Sequence, residues 1–263
     1  MALSPHVGER PPPPRTLAIV VNDRDEAMDC LSSVASLLVW VAEAGIRNVS
    51  VYDQDGYVRA SASRLAELVV KATMASDARG EGPPACTYVL RRADDVDGIL
   101  RTTDRFACGA DATARRAASR RTSSRDGSGT GTGTESATTT VDLLWGGDGG
   151  AALVDAARRW GEGNGDNWDG DGDGDEGGDA GASDARGPTT PAALEAWMEA
   201  RGSMLPNVDV TVVFGRHFHL SGYPPWQMHK AEIYHRPSLR GFTRKSLGEI
   251  LRRYAGVSQR FGR

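Results

Sequence analysis

The sequence predicts an α/β protein, one domain with a mostly parallel central sheet flanked by helices. Three observations predict it. Apolar runs of strand length recur along the chain. Segments whose apolar residues return at helical spacing stand between them. The connections between the runs are long enough for crossovers, which parallel strands require.

The elements follow in order. Residues 1–15 are a Pro-rich lead with no pattern that buries a core, and are expected to be disordered. TLAIVVN (Thr16–Asn22) is a continuous apolar run, as expected of a strand buried on both faces. Asp25–Gly45 carries Leu31, Val34, Leu37, Leu38 and Val41 on one helical stripe, with Gly45 as the stop. NVSVYD (Asn48–Asp53) is a second strand, completing a β–α–β unit with a parallel crossover. Arg64–Met74 reads as a helix and Cys86–Arg92 as a third strand.

Residues 104–137 lose all periodicity and are read as a disordered loop rich in Ser, Thr, Gly and Arg. Thr138–Gly146 resumes as a strand and Ala151–Trp160 as a helix. Residues 162–187 form a second low-complexity insert. Pro191–Ala200 is a helix with Pro in its first turn, and Asn207–Gly215 is another strand. Pro224–His235 and Thr243–Arg260 are read as the last two helices. The domain is thus expected to span residues 16–263 around two inserts.

Bulk composition sets limits. The chain has 263 residues, 39% of them hydrophobic, with 32 glycines, which is lean for one packed domain and agrees with two inserts outside the core. Net charge is −4, which argues against nucleic acid as a partner. The charge is unevenly spread. Glu162–Asp184 holds nine acidic residues and no Lys or Arg, whereas Arg216–Arg263 holds ten Lys or Arg and two Glu. Cys30, Cys86 and Cys108 lack CxxC spacing and are expected to be reduced structural thiols. MALSPHVGERPPPPRT has no apolar core of the kind a signal peptide needs, and no run of about 18 apolar residues occurs.

Several candidate sites weaken on inspection. In the acidic insert, Asp169, Asp171 and Asp173 alternate with Gly174 as in a calcium loop. Position twelve of that frame is Ala180, where a bidentate Glu is needed, so a solvated loop is the better reading. His217, His219, His229 and His235 cluster late in the chain, but their spacing does not place two ligands on one helical face, so they are read as surface histidines. The turn after the first strand, Asn22 to Glu26, lies where α/β proteins bind phosphates. It has no glycine and three acidic residues, a poor diphosphate cradle.

Three stretches carry a family resemblance: SVYDQDGYVRASASRLAEL (Ser50–Leu68), GYPPWQMHKAEIYH (Gly222–His235) and LRRYAGVSQRFGR (Leu251–Arg263). They resemble the cis-prenyltransferases, and within them the accessory branch of the Nogo-B receptor type. The likeness runs over residues 16–100 and 138–263, and its last sixty residues are the most specific. The family's catalytic members place an Asp in a Met-Asp-Gly-Asn turn after the first strand, where this chain has Asn22, Asp23 and Arg24. They hold isopentenyl diphosphate with an Arg-x-x-Gly-Glu-x-Arg stretch, whose arginines fall here on Val213 and His219. A valine makes no charge-assisted bond to phosphate, and a neutral histidine replaces a bidentate guanidinium poorly.

The resemblance therefore implies a noncatalytic subunit of a heteromeric cis-prenyltransferase that condenses isopentenyl and farnesyl diphosphates into polyprenyl diphosphate for dolichol and glycosylation. It implies a heterodimer with a catalytic partner that holds Mg2+, and no metal ligand in this chain. It implies that Arg260, Phe261 and Gly262 enter the partner's active site, with Arg260 and Gly262 binding substrate. A frayed basic helix end is the plain alternative for that terminus. A helix over Trp226–Tyr234 is expected near the interface, with Trp226, Gln227, Glu232 and Tyr234 as interface residues; an ordinary core helix would carry the same pattern. The branch's usual N-terminal membrane anchor has no counterpart here. Peripheral attachment to the cytosolic face of the endoplasmic reticulum membrane, through partner or product, is the expectation. Two rivals remain: a self-sufficient homodimeric enzyme with a rebuilt site, and a scaffold or receptor that kept only the fold.

Overall fold

Among the described residues seven strands form one sheet in the order β4-β3-β5-β2-β1-β6-β7. The strands are β1 (Thr16–Val21), β2 (Asn48–Asp53), β3 (Cys86–Ala93), β4 (Leu100–Cys108), β5 (Ala137–Leu144), β6 (Val210–Phe214) and β7 (Glu232–Arg236). The helices are α1 (Arg24–Asp29), α2 (Leu31–Glu43), α3 (Tyr57–Ala60), α4 (Ala62–Asp77), α5 (Pro191–Ala200) and α6 (Arg244–Gly256), with a 3-10 turn at Pro225–Met228. This computed structural model describes residues 14–78, 86–93, 100–108, 137–148, 190–200 and 205–257, with positions 150, 154, 157 and 158.

Every strand pair is parallel except β3 with β4. The mixed α/β class with a mostly parallel sheet is therefore the observed one. β1 is buried along its whole length, as its unbroken apolar run predicts. Leu17, Ile19 and Val21 face a core shared with α2, α4 and α6, while Ala18 and Val20 face a second, smaller core with Tyr52, Leu144, Val208, Val213 and Tyr223.

The helix expected over Asp25–Gly45 is two helices. The chain breaks at Cys30, where φ is −108° and ψ is 20°. Glu26 explains the break, because its buried carboxylate accepts from the Ser238 hydroxyl and from Leu239 N at 3.1 Å. That ties α1 to the segment after β7, while the apolar stripe of α2 follows the sheet. Gly45 does end the helix, with φ of 84°.

Two further expectations are corrected. Residues 104–108 are strand, not loop: β4 pairs with β3 from Leu100 to Cys108. Its Thr and Phe residues suit a strand, and pairing with β3 overrides the polar composition around them. Pro224–His235 is not a helix. Pro224 and Pro225 lack N–H groups, so the segment makes only one 3-10 turn before Glu232 N bonds to Asp209 O at 2.9 Å and starts β7. Ile233 and Tyr234 are strand formers, and the parallel ladder to β6 captures them.

α5 begins after Thr190, whose hydroxyl caps Ala193 N at 3.1 Å. α6 is capped by Thr243, which accepts from Ser246 N at 3.2 Å, and docks through Leu247 and Ile250. Arg244 Nε lies 3.1 Å from Glu43 Oε2, close enough for charge pairing though not aligned as a hydrogen bond. The expected helix over Ala151–Trp160 lies largely outside the described residues, and the low-complexity stretches 109–136 and 162–187 lie wholly outside them. Among the described residues no helix is long and apolar enough to cross a membrane.

Candidate functional site

Ligands of open α/β sheets bind where the parallel strands end. At that edge Val21 pairs with Asp53 on one side and Phe214 on the other, so the turns after β1, β2 and β6 converge. Asn22 is the first residue past β1, and its N–H bonds to Phe214 O at 2.8 Å.

The chain leaves β6 through Gly215 at φ of 146°, and a Cβ there would lie 2.9 Å from Asn22 Cβ. Glycine is what lets the two strands' ends approach. The chain then folds back over the edge. Asn22 Nδ2 donates to His219 O, and Ser221 Oγ donates to Asn22 Oδ1 at 2.8 Å. Tyr52 OH donates to Ser221 O. Ser221 holds φ of 50°, a left-handed conformation uncommon outside glycine, and Gly222 follows at 83°.

The donor pattern is self-determining. His219 O can only accept, which fixes the orientation of the Asn22 amide. Ser221 must then give its single proton to Asn22 Oδ1. His219 Nδ1, 2.5 Å from Ser221 Oγ, is left as the donor of that contact. The result is a closed polar network in which both ends of the Asn22 side chain are used. Burial, and then the charges of Asp53 and Asp148, push the Tyr52 hydroxyl up to about 12, so it stays protonated as a donor.

Nearby carboxylates also serve the fold. Asp53 Oδ1 and Oδ2 accept from Tyr57 N at 2.8 Å and Val58 N at 2.9 Å, starting α3. Burial raises the Asp53 carboxyl above its ordinary value, against these bonds, which lower it. Asp23 Oδ1 accepts from Asp25 N at 3.0 Å as the cap of α1, and Glu26 points inward. Magnesium needs a near-octahedral oxygen set, held through carboxylates. At this turn the Asn22 amide has both ends engaged, Asp23 caps α1 and Glu26 points inward, which leaves Asp25 as the exposed carboxylate. Among the described residues no group of three His, Cys, Asp or Glu converges as a metal site.

The residues singled out in the sequence are dispersed. Val213 is fully buried in β6 and faces the second core, so its side chain reaches no ligand. His229 Nδ1 donates to Trp226 O at 2.9 Å and His235 Nε2 to Gly215 O at 2.8 Å, so these two histidines have separate backbone partners. Trp226 Nε1 donates to Glu195 Oε1 at 3.2 Å, tying the 3-10 turn to α5. Gln227 is buried at 5% exposure, and its main-chain carbonyl accepts from Val208 N at 2.9 Å. Glu232 and Tyr234 share one face of β7, the strand at the end of the sheet, and Tyr234 packs on the main core. Arg260, Phe261 and Gly262 lie outside the described residues.

Tyr52, Gly215 and Ser221 were not identified from the sequence as site residues. Gly215 after an apolar run and the Ser-Gly pair at 221–222 are turn signals that mark this edge. Tyr52 sits inside a strand pattern and gives no signal. Asn22→Asp tests the network directly. A second carboxylate oxygen would face His219 O, where Nδ2 now donates. A loss of about 1–3 kcal/mol is expected, read as a lower Tm.

The fold and this edge define an α/β protein whose first-strand turn is closed by its own side chains. No protein-family profile matches the chain, and no curated protein matches it. Two solved structures align over most of it. One is a probable undecaprenyl diphosphate synthase from Campylobacter jejuni, at 16% identity and a TM-score of 0.46, covering 95% of this chain and 99% of that one. The other is lavandulyl diphosphate synthase from Lavandula x intermedia in complex with dimethylallyl diphosphate, at 13% identity and a TM-score of 0.48, covering 95% and 98%. Neither likeness reaches the level at which a shared activity follows.

Proposed function

We propose that this chain is the noncatalytic subunit of a heteromeric cis-prenyltransferase. One observation carries the reading: the side chains at the family's diphosphate positions are used by the fold. Asn22 is held by His219 O and Ser221 Oγ, and Val213 is buried in the sheet. The resemblance of Ser50–Leu68, Gly222–His235 and Leu251–Arg263 to the accessory branch supplies the family.

In this reading the partner supplies the carboxylate and the magnesium, which stabilises the departing diphosphate when bound. This chain supplies a face of the assembly that includes Glu232 and Tyr234 on β7 and the Trp226 turn. Its terminal Arg260, Phe261 and Gly262 enter the partner's site. Arg260 neutralises substrate phosphate, and the backbone N–H of Gly262 approaches it without a side chain in the way. The complex condenses isopentenyl diphosphate with farnesyl diphosphate into a long polyprenyl diphosphate that feeds dolichol and glycosylation. Attachment to the endoplasmic reticulum membrane comes through the partner or the lipid product.

Equilibrium dialysis with radiolabelled farnesyl diphosphate and magnesium tests the reading. The isolated chain is expected to retain no label, and the co-purified complex to retain it. Saturable retention by the isolated chain would overturn the loss of its own site. Failure to co-purify with a catalytic cis-prenyltransferase subunit would overturn the assembly.

A further inference from the structure

We propose that Cys86 and Cys108 form an oxidation site, an intramolecular disulfide that links the start of β3 to the end of β4. The antiparallel register pairs the two residues directly, and both join the main core cluster. Residues directly opposite on antiparallel strands share one face, with Cβ atoms roughly 4.5–5.5 Å apart. Opposite residues in such a ladder generally have Cα atoms about 4.5–5.5 Å apart, inside the window a disulfide accepts, while their Cβ atoms must draw in to about 3.5–4.5 Å for the bond to close. Tyr88, two residues along β3 on the same face, is fully buried in that core cluster. Cysteine spacing predicts reduced structural thiols, and all three cysteines are free and buried in the structure; the juxtaposition comes from the strand register.

The pair sits where a chemical trigger can reach it. Among the described residues β4 ends the sheet and pairs with β3 alone, so opening that ladder exposes Cys108, which is otherwise 4% exposed. Cys86 is held inside, its Sγ 3.4 Å from Thr139 Oγ1. A peroxide-class oxidant completes the chemistry. The Cys108 thiolate attacks one peroxide oxygen, the O–O bond breaks, and a sulfenic acid and water form. Cys86 sulfur then attacks the Cys108 sulfur, the S–O bond breaks, the S–S bond forms and a second water leaves. Two thiols are oxidised and one peroxide is reduced. Burial pushes the Cys86 thiol above its ordinary value, so closure is slow at neutral pH and quickens as pH rises.

The test treats the folded full chain with hydrogen peroxide, blocks residual thiols with an alkylating agent and maps peptides by mass. The expected result is a peptide pair joined through Cys86 and Cys108, abolished by dithiothreitol, with Cys30 alkylated only after unfolding. Closing that loop is expected to raise Tm by roughly 5–10 °C. Cys30→Ala is expected to leave the linkage intact, and Cys108→Ala to remove both the linkage and the Tm rise. Linkage seen only in denaturant, or linkage through Cys30, would overturn the proposal. Peptide mapping of the unmutated chain decides it even if a variant does not fold.

Discussion

Deleting residues 260–263 is expected to lower turnover of the complex by about 10²–10³-fold, the range seen when one preorganised donor is removed from a developing charge. Under the proposed assembly two contributions would be lost together: the guanidinium of Arg260 and the unobstructed N–H of Gly262. The fold is expected to survive. α6 is anchored upstream by buried Leu247 and Ile250 and by the Arg244 and Glu43 charge pair. Tm and co-purification with the partner should therefore be unchanged, while kcat for isopentenyl incorporation falls. Arg260→Ala alone is expected to give a smaller loss than the deletion. Unchanged kcat would make the terminus an ordinary basic helix end. A loss of co-purification would make it an assembly element rather than a substrate contact.

Arg91→Met is expected to destabilise the chain by about 3–5 kcal/mol, as when one partner of a buried ion pair is removed. Arg91 holds Asp142 bidentately, with Nε 2.6 Å from Oδ1 and Nη2 2.9 Å from Oδ2. The Asp142 side chain is 3% exposed. Burial raises its carboxyl above the ordinary value, and Arg91 opposes that rise. Without Arg91 the carboxyl rises further, so the folded chain binds its proton more tightly than the unfolded chain does. The stability this gives is fully present below the unfolded value of about 3.9 and is lost as pH rises through the folded one. The gap in stability between Arg91→Met and the unmutated chain should therefore be widest at neutral pH and narrow toward about pH 4. Adding Asp142→Asn should recover much of the loss at neutral pH. Denaturant titrations at several pH values check this, and a gap independent of pH would mean that Asp142 is not the group responsible.

The parts of this protein governed by local pattern were legible in the sequence. β1 is an apolar run without alternation, β2 a short strand rich in β-branched and aromatic residues, and the Gly45 stop needs only backbone preference. Elements decided by distant partners were not. The break at Cys30 depends on Glu26 meeting Ser238 and Leu239 more than two hundred residues away. β4 looks polar until β3 pairs with it, and Glu232–Arg236 has a helix-compatible sequence until β6 supplies a ladder. At the site, Asn22 and Val213 stood out by comparison with a motif, and the structure adds what holds each of them. Tyr52 and Ser221 could not be found that way. Their roles arise from a hydrogen-bond network spanning some 170 positions. Charged Asp142 inside an apolar strand was a usable signal of a buried partner, though its identity as Arg91 needed the register.

In the proposed assembly this chain contributes to a prenyl-transfer site that lies in its partner. Radiolabelled isopentenyl incorporation with farnesyl diphosphate and magnesium tests it most directly, using this chain alone, its catalytic partner alone and the two co-expressed. High incorporation in the co-expressed sample only is the predicted result. Incorporation by this chain alone would overturn the noncatalytic role and mean that a site has been rebuilt from residues other than Asn22, Val213 and His219. A partner equally active with and without this chain would contradict it as well, leaving a scaffold that shares the fold and not the chemistry.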